Sequence, residues 1–146
     1  MEKIFMKFLK IRSWILGIFM FVFGALKLIN PFGGWFHTQL ITSGIGDFAF
    51  PFGVGTEITT GLILLVALIF KDKMPAVRFL ASIFCGSCLV VITMTVAVYV
   101  HLQPNVPAAV LPLGIKPPVI PLSVMILAAA NIFYAIKLYK TTSGAV

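Results

Sequence analysis

The chain has 146 residues, of which 60% are hydrophobic and only 10% are charged. Soluble domains carry about 25% charged residues, so these charges are too few to cover a water-facing surface. The composition therefore favours a single membrane domain, 1–146, with no separate soluble domain beside it. The net charge of +7 does not indicate nucleic-acid binding, because the basic residues stand at the ends of apolar runs and not in a stripe beside aromatic residues.

The first segment, residues 2–10, places Lys3, Lys7 and Lys10 among apolar residues at helical spacing. This pattern predicts an amphipathic helix that lies at the membrane interface or extends the first span. The first span is predicted at 11–28, close to the roughly 20 apolar residues that a bilayer core requires. It closes on Lys27 without a small-residue cleavage site, which indicates an uncleaved span and not a signal peptide.

The next segment, 30–51, opens with an Asn-Pro pair and a Gly-Gly pair, which interrupt the helix. Its aromatic residues suit the headgroup level of a membrane, and residues 38–45 are predicted to form a short interfacial helix. The second span is predicted at 52–70 and the third at 76–99. The short polar turn KDKMP separates them, and its proline suits the start of a helix.

The stretch 101–121 contains six prolines, so it cannot form a regular helix. We predict an ordered or re-entrant loop there, at one membrane surface, followed by a fourth span at 122–138. The expected fold is all-α: a polytopic membrane protein with a four-transmembrane-helix bundle and irregular outer loops.

The distribution of basic residues predicts the orientation of the spans. Nine of them fall in the N-terminal segment, in the turn between spans two and three, and near the C-terminus: Lys3, Lys7, Lys10, Arg12, Lys71, Lys73, Arg78, Lys137 and Lys140. The two remaining loops carry only Lys116, if Lys27 is counted within its span. The positive-inside rule then places both termini in the cytoplasm, as an even number of spans requires.

Ionisable residues within spans are costly, and they are the first candidates for function. Lys27 and Glu57 lie at similar depth near the outer ends of spans one and two. They form either an ion pair that fixes two helices or a polar site for proton exchange or a lipid headgroup. Asn131, in the middle of the fourth span, is expected to form interhelical hydrogen bonds.

Both histidines and several other polar residues lie in or next to the two outer loops. His101 and Gln103 begin the proline-rich stretch, and together with His37 and Asp47 they are candidates for an outer vestibule. The alternative for His101 is a solvated or capping group at a helix end.

The only two cysteines form a C-x-x-C motif in the third span, Cys85-Gly86-Ser87-Cys88. At this spacing both thiols share one helical face, and such a pair is able to cycle between dithiol and disulfide. The alternative is inert packing, because buried cysteines behave as small apolar residues. Two cysteines without further ligands do not make a zinc site, so no metal centre is expected.

The sequence resembles the DoxX-like family of small four-helix membrane proteins in two short patterns. This family has relatives named for methylamine utilisation. The first pattern, R-x4-G-x3-F-x2-G-x2-K-L, is carried by Arg12, Gly17, Phe21, Gly24, Lys27 and Leu28. The second, E-x3-G-L-x-L-L, is carried by Glu57, Gly61, Leu62, Leu64 and Leu65. The resemblance implies a four-helix fold, with Arg12, Lys27 and Glu57 among the recurrent polar positions. It also implies varied roles, from thiosulfate:quinone oxidoreduction to assistance of redox or disulfide systems.

Three functions follow as hypotheses for a multi-pass protein of the bacterial cytoplasmic (inner) membrane. In the first, Cys85 and Cys88 exchange thiol/disulfide electrons with a quinone or a partner protein, as an oxidoreductase component. In the second, the chain is a non-enzymatic accessory or assembly subunit, with a membrane or redox protein as partner or as a homo-oligomer. In the third, the outer vestibule binds a lipid or another small molecule.

Overall fold

The computed structural model describes residues 1–144, and every regular element among them is helical. Five α-helices are present: α1 Glu2–Leu26, α2 Phe32–Thr42, α3 Phe50–Ile69, α4 Ala76–Leu102 and α5 Val119–Thr142. All except α2 belong to segments long and apolar enough to cross a membrane. The expected all-α architecture with four spanning helices is therefore confirmed.

The helix bounds differ from the predicted spans at most of their ends. α1 begins at Glu2, so residues 2–10 continue into the first span as one helix of 25 residues. At about 1.5 Å per residue this helix exceeds the roughly 30 Å of a bilayer core. α4 continues to Leu102, beyond the predicted end at 99, and α5 begins at Val119 with Pro121 in its first turn. A proline is tolerated there because the first N–H groups of a helix have no partner within it.

The short helix predicted at 38–45 was misplaced. α2 begins at Phe32 and includes both glycines of the Gly-Gly pair. Gly33 allows the chain to turn sharply after α1, because a Cβ there would lie 2.6 Å from the Lys27 carbonyl oxygen. The interruption of the first span is therefore confined to the residues between Leu26 and Phe32.

The four long helices form a ring in which α1 packs along α3 and α4 along α5, while α1 and α4 lie on a diagonal. The start of α1, the end of α5 and the α3–α4 turn lie at one end of the bundle, which we call the terminal end. α2 and the proline-rich stretch lie at the other, which we call the loop end. Two 3₁₀ turns, Ala108–Val110 and Pro112–Gly114, shape that stretch.

The main apolar core fills the middle and the terminal end of the bundle. Leu9, Leu16, Leu64 and Ile83 are fully buried in it. A smaller apolar cluster lies under the proline-rich stretch: Val100, Val106 and Leu111. The well-packed core thus stops short of the loop end, and the space left there is the candidate site.

Candidate functional site: a cavity at the loop end

A buried ion pair joins α1 to α3 at the loop end. Lys27 follows the last residue of α1, and Glu57 lies in the second turn of α3. Lys27 Nζ lies 2.5 Å from Glu57 Oε1, and the two side chains are only 16% and 9% exposed. The structure thus brings together the two ionisable residues that the sequence places at similar depth.

The ion pair is enclosed by an aromatic residue of α2. Lys27 Nζ lies 3.9 Å from the centre of the Phe36 ring, within the range of a cation–π contact. Phe36 also packs closely on α3, because a Cβ on Gly53 would lie 2.7 Å from Phe36 Cζ. α2 therefore folds back onto the ion pair and limits its access to water.

A cavity of about 360 Å³ lies next to this pair. Its walls are mainly apolar and come from all four long helices: Phe19, Phe23, Phe52, Ile92, Met94, Val96, Ala97, Val100 and Ile120. Six polar side chains interrupt them: Lys27, Gln39, Thr56, Glu57, Thr93 and His101. Apolar walls with a few convergent polar groups are the usual composition of a small-molecule site.

The exposure of its lining residues indicates that the cavity opens sideways between α3 and α4. Three of its lining residues are exposed on the outer surface of the bundle: Phe52 at 71%, Ile92 at 60% and Val96 at 48%. α2 and Pro112 cover it at the loop end. In a membrane, this opening would face the acyl chains and not the water phase.

His101 is a buried wall residue, which corrects its expected place at the start of a loop. It lies in the last turn of α4 and is 4% exposed. Its Nδ1 lies 3.1 Å from the carbonyl oxygen of Lys116. The burial follows from the path of the loop, because Lys116 Nζ donates to the carbonyl oxygens of Gln103 and Val106, each at 2.5 Å, and holds the loop against α4.

A second, more open cleft of about 370 Å³ lies on the outer surface of the loop end. His37 and Asp47 line it, with His37 Nδ1 3.1 Å from Asp47 Oδ1. The sequence grouped these two residues with His101 and Gln103 in one vestibule, whereas the structure places them outside the main cavity. Lys27 lines both spaces.

Arg12 and Asn131 form a separate polar cluster towards the terminal end. Arg12 Nε donates to Asn131 Oδ1 at 3.0 Å, and Asn131 Nδ2 donates to Ser13 Oγ at 2.9 Å. The Arg12 guanidinium also lies 4.6 Å from the centre of the Tyr134 ring. These contacts link α1 to α5 and are the interhelical hydrogen bonds expected of Asn131. Neither Arg12 nor Asn131 lines the cavity.

The two cysteines are free thiols on α4, and neither lines the cavity. Cys85 is exposed on the outer face of the bundle, and Cys88 is half-buried. The sequence-predicted residues therefore separate into four places: Lys27, Glu57 and His101 at the cavity, His37 and Asp47 at the outer cleft, Arg12 and Asn131 in the terminal half, and the cysteines on α4 away from the cavity.

Phe36, Gln39 and Thr56 are among the cavity residues that were not predicted from the sequence. The polar character of Thr56, directly beside Glu57, was an available signal. Phe36 and Gln39 carried none, because their role depends on how α2 folds back.

Fold and site together define an all-α protein with four helices able to cross a membrane and an amphipathic cavity that opens between two of them. Comparisons of the chain with protein-family models, with curated proteins and with solved structures gave no match.

Proposed function

We propose that the protein binds a membrane-soluble small molecule, with an apolar body and a polar head of the kind found in quinones, quinols and related lipids, in the loop-end cavity. The observation that carries this proposal is the cavity itself, with apolar walls, a buried ion pair and a sideways opening. Ligand pockets enclose about 300–1,000 Å³, and this one falls within that range. An apolar ligand would enter from the membrane through the opening at Phe52 and Val96, with its head towards Lys27 and Glu57.

Filling the cavity with a large side chain is expected to weaken ligand binding strongly. The probe is an alkylphenol with a photoreactive diazirine, applied to the protein in lipid nanodiscs. Ala97 lines the cavity on α4, so Ala97→Phe places a large ring in the binding space. We expect at least a tenfold loss of affinity, or about 1.4 kcal/mol, measured by mass spectrometry of the labelled cavity peptides.

The matched control is Ala81→Phe, the same substitution at an exposed position of the same helix that does not line the cavity. This variant is expected to label as the wild type does. Equal labelling of the two variants, or no labelling of cavity peptides in the wild type, would contradict the proposal.

We also propose that the chain is a DoxX-like protein of the bacterial cytoplasmic membrane, with its terminal end in the cytoplasm. The basic residues concentrated at the terminal end support this orientation. The family resemblance is supported by where its residues lie, because Lys27 pairs with Glu57 and a Cβ on Gly24 would lie 2.9 Å from Glu57 Cβ. The two sequence patterns that carry the resemblance therefore meet in the contact between α1 and α3 beside the cavity.

Thiol exchange is a second candidate function, favoured by the exposed position of Cys85 one turn from Cys88. Oxidation of the two thiols to a disulfide would release two electrons and two protons, which a quinone takes up to become a quinol. Residues three or four apart on a helix have Cβ atoms about 5–6 Å apart, whereas a disulfide requires about 3.5–4.5 Å. The disulfide would therefore distort α4 and be readily reduced, as exchange requires.

A membrane-soluble quinone is expected to oxidise this pair. Membranes containing the protein are treated with decylubiquinone and then alkylated, and the intact mass is measured. The wild type should lose both alkylation sites, and a reductant should restore them. Cys85→Ala should keep Cys88 open to alkylation throughout. Two thiols that stay alkylatable in the treated wild type would exclude this function.

A further inference from the structure

The polar groups around the cavity differ in which hydrogen-bonding atoms they leave free. Glu57 Oε1 accepts from Lys27, whereas Oε2 is buried and has no partner within residues 1–144. A carboxylate in an ion pair has only acceptor atoms. Rotation about the last torsion of glutamate is soft, so either oxygen is able to face the cavity while the other holds Lys27.

His101 also offers an acceptor. Its Nδ1 contacts the Lys116 carbonyl oxygen, and since a carbonyl only accepts, Nδ1 must carry the proton. In the neutral imidazole this tautomer leaves Nε2 with a bare lone pair. Nε2 makes no hydrogen bond to the described part of the chain, and His101 lines the cavity.

The donors of the neighbouring side chains are partly used inside the protein. Gln39 Nε2 donates one of its two N–H groups to the Val110 carbonyl oxygen, and Thr93 Oγ1 donates its single hydrogen to the Leu89 carbonyl oxygen at 2.9 Å. Lys27 Nζ donates one of its three hydrogens to Glu57 and also lies over the Phe36 ring. Thr56 is the one lining hydroxyl to which the structure assigns no bond among residues 1–144.

From the unpaired oxygen of Glu57 and the acceptor nitrogen of His101 we infer that the cavity selects neutral ligands that donate hydrogen bonds from hydroxyl groups: phenols, quinols or alcohols. The inference rests on the proposed binding function and names its ligand class. A head that only accepts, such as the carbonyl of a quinone or the oxygen of an ether, is able to bond to the remaining N–H groups of Lys27 or Gln39, but it offers no hydrogen to Glu57 or His101. Buried acceptors then stay unpaired, and a site built for a hydroxyl discriminates strongly against an analogue that lacks one.

The test compares two competitors with the same apolar body on the wild-type protein. 4-Octylphenol and its methyl ether, 4-octylanisole, differ only in the donor hydrogen and one methyl group. Each compound is titrated as a competitor of the photoreactive alkylphenol for labelling of the cavity, and its concentration is measured in the nanodisc lipid. Since a hydrogen bond to a charged group is a strong one, the phenol should compete at a concentration at least about tenfold lower.

A variant adds a second measurement. Glu57→Gln keeps the side-chain shape but exchanges one acceptor oxygen for an N–H donor, so the preference for the phenol should fall severalfold while the anisole gains. Its melting temperature shows whether it is folded, and the wild-type comparison stands without it.

The outcomes separate the two proposals. Equal competition by phenol and anisole, with labelling still blocked by Ala97→Phe, overturns the hydroxyl preference and leaves the binding function in place. Absence of cavity labelling in the wild type overturns both.

Discussion

Replacing Gly61 by alanine is expected to lower the free energy of unfolding by about 3 kcal/mol, the upper end of the usual range for overpacking. A Cβ at Gly61 would lie 2.5 Å from the backbone nitrogen of Phe21 and 2.7 Å from its Cα. These are backbone atoms of α1, which cannot rotate away as a side chain can. The methyl group must therefore push α1 and α3 apart along their whole contact, including the Lys27–Glu57 pair.

The matched control for Gly61→Ala is Gly55→Ala in the same helix. A Cβ on Gly55 would have no atom within 4 Å, so nothing opposes it. Alanine there should stabilise the helix by about 0.5–1 kcal/mol, because glycine is a poor helix former. Thermal unfolding in detergent, followed by circular dichroism, measures both variants. A melting temperature for Gly61→Ala at or above the wild-type value would contradict the close helix contact.

The apolar pattern of the sequence predicted how many long helices form and where each lies. Four apolar runs separated by proline, glycine or lysine clusters have few alternatives in a membrane, where each backbone group must find a partner within its own helix. The Lys27–Glu57 pairing was also predictable from depth, since an unpaired charge at that level is costly. The ends of the helices were harder to predict from the sequence, because nothing in the local pattern predicts that α4 continues through His101 to Leu102.

The enclosure of the site depends on contacts that no local pattern encodes. α2 covers the cavity because Gly33 allows a sharp turn close to Lys27 and because Phe36 packs on Gly53 of the next helix. The burial of His101 depends on the return of the loop and on two carbonyl oxygens that accept from Lys116. Such contacts follow from the tertiary path of the chain, and the sequence only indicated that the loop is irregular.

The position of the cavity follows from a change in side-chain size along α3 and α4. In the middle of the bundle, a Cβ on Gly86 of α4 would lie 2.7 Å from Leu64 of α3, so these helices pack closely there. Towards the loop end, Phe52 is exposed, and the small residues Gly53 and Thr56 line the cavity from α3 beside Glu57. The helices stay apart while the residues between them are too small to fill the gap.

The Lys27–Glu57 pair is expected to be strongly non-additive in a double-mutant cycle. Lys27→Met removes the cation and leaves a buried carboxylate unpaired, which should cost about 3–5 kcal/mol of unfolding free energy. Glu57→Leu should cost less, because Lys27 also lines the outer cleft and its flexible stem is able to carry the ammonium to water. The double variant should be more stable than Lys27→Met alone, since no buried charge remains.

The control cycle uses Lys71 and Asp72, an exposed pair at 3.7 Å in which Asp72 is 96% exposed. Its coupling should be negligible, because water screens exposed charges well. Both cycles are measured by thermal unfolding of the purified protein in the same detergent. If the Lys27 and Glu57 effects simply add, the pair does not stabilise the α1–α3 contact, and Glu57 is then available to a ligand as an independent group. Strong coupling instead means that Lys27 already balances the charge of the Glu57 carboxylate. A ligand in the cavity then gains little from a positive charge, so a neutral hydroxyl group suits the site better than a cation.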